Sequence, residues 1–182
     1  MTRIRYQVAV SLDGYIAGPK GEADWIIMDP DIDFDALFAE FDTFLMGRRT
    51  FAVAGAMGSA GSGAKTFVFS RTLRPDVHPN VTIVAEVSEA TVAPIRAKAA
   101  KDIWLFGGGT LFRSFVDAGL VDSVELSVMP VLLGGGVPLL PHPAQQTNLV
   151  LTAHRVYKTG VVSLEYAVEK RRPDKRRTRS RA

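Results

Sequence analysis

The chain predicts an α/β domain with a mixed, mostly parallel central sheet and an antiparallel hairpin at its C-terminal end. Three observations lead there. Runs rich in β-branched and aromatic residues recur along the 182 residues. Segments with helical spacing separate several of the earlier runs, as crossover connections between parallel strands require. The last two runs are joined by Lys158-Thr159-Gly160 alone, too short for anything but an antiparallel turn. An apolar share of 47% supports a buried core, and the length fits one domain, so disorder of the whole chain is excluded.

Taken in order, the strand-like runs are Ile4–Val10, Thr43–Met46, Thr66–Phe69, Val81–Val84, Ile103–Phe106, Ser123–Val128, Leu149–Tyr157 and Val161–Val168. Between the first two, Phe34, Leu37, Phe38 and Phe41 fall at i, i+3, i+4 and i+7, one apolar helix face. Ser88 opens Ser88-Glu89-Ala90-Thr91, a cap for an Ala-rich helix to about Ala100. From Gly109 to Val116, Leu111, Phe112, Phe115 and Val116 again keep helical spacing. The stretch Ala54–Ala64 reads as a flexible surface loop by its glycine and serine content. No internal repeat or interdomain linker interrupts residues 1–169.

Charge is unevenly placed. Residues 170–182 hold eight Lys or Arg against one acid, Asp174, a net +7; the total of +3 leaves −4 for residues 1–169. So polar a segment cannot bury enough surface to fold, and a disordered basic tail is expected. Nucleic acid is not expected as a partner except through that tail, whose plainer reading is a solvated terminus. With no cysteine, disulfides, zinc-thiolate sites and thiol nucleophiles are excluded. His78, His142 and His154 are scattered, so no metal site is expected. No signal-peptide pattern or membrane-spanning run is read, and a cytoplasmic protein is the expectation.

Two glycine signatures follow strands and open helices: Met46-Gly47-Arg48-Arg49-Thr50-Phe51 and Phe106-Gly107-Gly108-Gly109-Thr110-Leu111-Phe112. A glycine at a strand's carboxyl end lets a ligand approach the backbone, and the helix behind it offers free N–H groups to a phosphate. Ligands in open α/β sheets bind beyond this edge. The run Gly58–Thr66 imitates a P-loop, but Ala64 separates Gly63 from Lys65 and a strand follows, so nucleotide hydrolysis is not supported. The dinucleotide fingerprint G-x-G-x-x-G is also unmatched, and no G-x-S-x-G elbow is present for acyl transfer.

The order Ala9-Val-Ser-Leu-Asp-Gly-Tyr-Ile16, Met46-Gly-Arg-Arg-Thr-Phe51, Phe69-Ser-Arg-Thr72 and Phe106-Gly-Gly-Gly-Thr110 resembles the dihydrofolate reductase superfamily. Ala118–Glu125 and Met129–Gly136 are similar to its branch containing the reductase domain of bacterial riboflavin biosynthesis. The resemblance spans about residues 3–168. It implies a three-layer α/β/α reductase domain over residues 1–169, with NADPH across the sheet edge. Gly47, Arg49 and Thr50 would hold one side of the pyrophosphate, and Gly107, Gly108, Gly109, Thr110 and Leu111 the other. Arg48, Ser70 and Arg71 would surround the 2′-phosphate, which planar guanidinium groups suit. Val8, Ala9 and Ile16 would receive the nicotinamide.

On the substrate side the resemblance implies Trp25, Asp31, Phe112 and Ser127, with Asp33 and Asp13 as catalytic acids. Asp31, Asp33 and Asp35 all compete with plain helix-capping roles, and Trp25 with a core role. Riboflavin-pathway enzymes carry an acid just before the glycine run, where this chain has Phe106. The implied activity is hydride transfer from NADPH to a C=N or C=O carbon of a small heterocyclic substrate, as in 5-amino-6-(5-phosphoribosylamino)uracil reductase or dihydrofolate reductase. A non-catalytic NADP(H)-binding regulatory module is the alternative. The family's habit of pairing through its C-terminal strands implies a homodimer.

Overall fold

The computed structural model describes residues 2–56 and 63–169; the expected disordered tail, 170–182, and the middle of the Ala54–Ala64 loop lie outside them. The elements run β1 (Ile4–Ser11), β2 (Tyr15–Ala17), α1 (Phe34–Ala39), β3 (Phe41–Gly47), α2 (Arg48–Ala56), β4 (Lys65–Phe69), β5 (Thr82–Val84), α3 (Glu89–Lys98), β6 (Asp102–Gly107), α4 (Gly109–Asp117), β7 (Ser123–Met129), β8 (Val137–Pro138), β9 (Leu149–Val156) and β10 (Val162–Val168). One sheet holds eight strands in the order β5-β4-β3-β6-β1-β7-β10-β9. Its first five neighbour pairs are parallel. β10 is antiparallel to β9, as the short connection through residues 157–161 demands, and antiparallel to β7 as well. β2 and β8 form a separate small ladder, too short to leave any periodicity in the sequence.

Alternation along the strands feeds two cores. Ile4, Tyr6, Leu45, Ile103 and Leu105 meet Val92 and Ile95 of α3 and Leu111, Phe112 and Phe115 of α4. Phe44, Met46 and Trp104 meet Leu37 of α1 and Phe51 and Ala54 of α2 on the other face. Strands apolar on both faces are what a helix-covered parallel sheet requires. The arrangement is therefore three-layered, α/β/α.

The helices start where their caps are. Asp33 accepts from the Ala36 N–H at 2.9 Å and opens α1. Ser88 and Thr91 exchange backbone-to-side-chain bonds at 3.3 and 3.0 Å, a capping box at α3. One helical expectation is corrected: α1 stops at Ala39, and Phe41 opens β3. There its ring lies 4.7 Å under the Arg5 guanidinium. Arg5 is buried and forks onto Glu125, Nε–Oε1 and Nη2–Oε2 both at 2.7 Å, and also bonds Glu40. Burial alone would lower its pKa; the Glu125 and Glu40 hydrogen bonds outweigh that and raise it.

Candidate active site

β3 and β6 are neighbours, and Met46 is in register with Gly107, so both glycine signatures end at one edge of the sheet. A Cβ added to Gly47 would lie 3.7 Å from the Gly107 carbonyl and 3.8 Å from Leu111 Cβ. One added to Gly108 would lie 3.4 Å from Thr50 Oγ1 and 3.8 Å from Ile16 Cδ1. The two junctions therefore abut, with Thr50 and Ile16 beside them. Gly107 has φ +121°, which side-chain-bearing residues rarely adopt. Gly109 is closed over from outside: a Cβ there would come within 2.3 Å of the Pro138 carbonyl.

The chemistry of this edge suits an anion. Gly108 caps α4 without any side-chain hydrogen bond, which leaves first-turn N–H groups for a ligand. Arg48, Arg49 and Arg71 are exposed, and among the described residues no carboxylate pairs with them. Gly47 is in register with Phe69, so Arg48 and the Ser70-Arg71 pair sit one step past the ends of adjacent strands. Ser70 Oγ accepts from Thr72 and Leu73 N–H at 3.2 and 3.1 Å, shaping the turn that carries Arg71. A pyrophosphate over the junctions with a further phosphate among these arginines fits the residues present.

Ala9 of β1 is in register with Ser127 of β7, which brings the implied nicotinamide and substrate positions side by side. The remaining substrate-side residues are placed differently from one another. Phe112 stacks on Tyr6, centroids 3.7 Å apart, inside the α3/α4 core, so it is a packing residue and not a pocket wall. Trp25 is half-buried on the loop between β2 and α1, its Nε1 donating to the Glu22 carbonyl at 3.0 Å. Asp31 and Asp33 are both exposed, and Asp33 has its capping bond. Asp13 accepts from Ser11 Oγ (2.6 Å) and from the N–H groups of Leu133 (3.1 Å) and Gly134 (2.7 Å). Those bonds, the Ser11 hydroxyl first, hold its carboxyl below the usual range.

Sequence reasoning missed Asp29. It is the buried member of the acidic run, 2% exposed. Its Oδ2 accepts from Thr159 Oγ1 at 2.5 Å and its Oδ1 from the Asp31 N–H at 2.8 Å. The Thr159 hydroxyl is the main cause of its lowered pKa, helped by the Asp31 N–H and the Arg155 charge against a burial penalty. Nothing local separates Asp29 from its neighbours, because its partner lies 130 residues away. A cleft of about 970 Å³ between the C-terminal end of α4 and residues 145–148 includes none of the residues above. No His, Asp and Glu cluster among the described residues could hold a metal ion, and no helix there is long and apolar enough to cross a membrane.

Residues 2–163 match the family described as the RibD C-terminal domain. The uncharacterized protein YyaP of Bacillus subtilis is 37% identical over 177 residues, covering 90% of this chain and 94% of YyaP. A putative riboflavin biosynthesis protein from Shewanella superposes with a TM-score of 0.80 at 26% identity, over 92% and 99% of the two chains. Dihydrofolate reductase from Enterococcus faecalis, solved with NADP(H) and RAB-propyl, superposes with a TM-score of 0.64 at 18% identity, over 91% and 96%. The fold is thus dihydrofolate-reductase-like.

Proposed function

The chain belongs to the RibD C-terminal domain family, and on that premise we propose that it is an NADPH-dependent reductase of a small heterocyclic substrate. The observation that carries this reading is the meeting of Gly47 and Gly108 at the sheet edge that also carries Arg48, Arg49 and Arg71, none of them paired with a carboxylate among the described residues. Gly47, Thr50 and Gly108–Leu111 would hold the pyrophosphate, and Arg48, Ser70 and Arg71 the 2′-phosphate. Bound there, the reduced nicotinamide supplies a hydride to a C=N or C=O carbon. Ala9, Ile16 and Ser127 orient the two reactants and keep water from between them. With Asp33 and Asp13 holding structural hydrogen bonds, the proton for the product nitrogen or oxygen comes from water.

The pocket differs from a phosphoribosyl-pyrimidine site at Phe106, whose ring packs 5.2 Å from Trp104 and 6.1 Å from Phe44. A substrate is therefore offered no carboxylate at that position. The same two acids support the second reading, an NADP(H)-binding regulatory module. NADPH oxidation across a panel of pterins, pyrimidines and quinones separates the two: binding without oxidation selects the module. Arg48→Ala with Arg71→Ala should weaken NADPH by about 10- to 100-fold, from the loss of charge-assisted bonds, and leave NADH nearly unchanged. Equal losses for both dinucleotides, read by fluorescence titration, refute the 2′-phosphate site.

β9 further supports self-association through a second copy of the chain. As an edge strand it leaves ladder groups unpaired, and Leu149, Val150, Leu151 and Val156 are 41, 49, 49 and 68% exposed.

A further inference from the structure

We propose that Asp29 and Thr159 form a clasp that fixes the Trp25 loop over the substrate side, making Asp29 a positioning residue for substrate binding. The inference rests on the reductase reading for what the loop covers, but the clasp itself stands on geometry. Residues 18–33 form no helix or strand. Most of their hydrogen bonds are internal: Gly18 N–H to the Glu22 carbonyl, Ile26 N–H to the Ala23 carbonyl, Trp25 Nε1 to the Glu22 carbonyl. Among the described hydrogen bonds, Thr159 to Asp29 is the tie between residues 19–32 and anything beyond this loop and α1.

Both halves of the clasp are built for each other. The loop brings a carboxylate that is 2% exposed, a placement an unpaired charge could not hold. The β9–β10 turn brings the Thr159 hydroxyl, and Arg155, seated 4.6 Å over the Tyr157 ring, adds favourable charge. The turn is itself fixed: Gly160 adopts φ +88° with its Cα against Pro130, where an added Cβ would lie 3.4 Å from the ring. Pro130 follows β7, the strand that carries Ser127. The Trp25 loop is thus referenced to the same strand as the substrate-side serine. The glycine junctions belong to β3 and β6 and share no residue with the clasp.

The test compares Thr159→Val, Thr159→Ser and Asp29→Asn with the wild-type chain in three measurements. These are amide hydrogen exchange over residues 19–32, NADPH affinity, and KM against kcat for whichever panel compound is reduced fastest. Thr159→Val and Asp29→Asn should speed exchange in the loop and raise KM, each by about tenfold, with kcat changed less. Thr159→Ser keeps the hydroxyl and should behave as wild type, and NADPH affinity should hold in all three. Unchanged loop exchange in both disruptive variants overturns the clasp, and faster exchange with unchanged KM overturns its positioning role. A wild-type chain that binds no NADPH sinks the reductase reading, while the exchange comparison still decides the clasp.

Discussion

Asp13 joins the end of β1 to the loop after β7, and its bonds depend on the charged form. An aspartate in the unfolded chain titrates at about 3.9, and in the folded chain Asp13 lies below that. As pH falls through this window the unfolded state takes up the proton first. The stability it contributes is therefore complete above about pH 5 and is lost on acidification toward the folded pKa. Asp29 and Asp102 shift in the same direction. Thermal melts of Asp13→Asn against wild type should show a deficit at pH 7 that shrinks toward pH 3; a deficit independent of pH would show that the charge is not what matters. At this scale the sequence was legible only where chemistry is local. The glycine and arginine positions of the two junctions stand in the sequence because a strand end followed by a helix start is a local pattern. Asp29 among Asp31, Asp33 and Asp35 does not, since only the distant Thr159 distinguishes it.

Elements with six or more residues and a clear period could be read along the chain, and their faces followed. Leu111, Phe112 and Phe115 sit on the buried side of α4 as their spacing implies. The i+7 phenylalanine misled because Phe38 of α1 and Phe41 of β3, on either side of Glu40, both pack against Trp104. β9 poses the question of what covers it. Every residue from Leu149 to Val156 is exposed, which a solvated monomer edge would blunt with charge. Sedimentation should give a dimer for the full chain, and Leu151→Lys should shift it to monomer at the same concentration. A monomeric wild type removes the second copy from consideration.

Over the whole molecule, the mixed sheet could be anticipated but not its strand order. Both features follow from where chain segments return: β6 and β7, far along the sequence, come back to flank β1. Ile4 stands opposite Ile103, and Arg5 opposite Ser123. The middle of the sheet is therefore among the last parts to be completed as the chain emerges from a ribosome. Until residues 123–129 are made, one side of β1 has no neighbour, and Arg5 waits for Glu125. Loop closure over such separations slows folding and prolongs exposure of bare strands. A fragment ending at Asp117 should show no cooperative thermal transition, whereas the full chain should; a sharp melt from the fragment would contradict this. Synthesis of this protein thus carries an interval in which β1 stands as an open edge of a five-stranded parallel sheet, and a chaperone's hold on the nascent chain would be needed longest there.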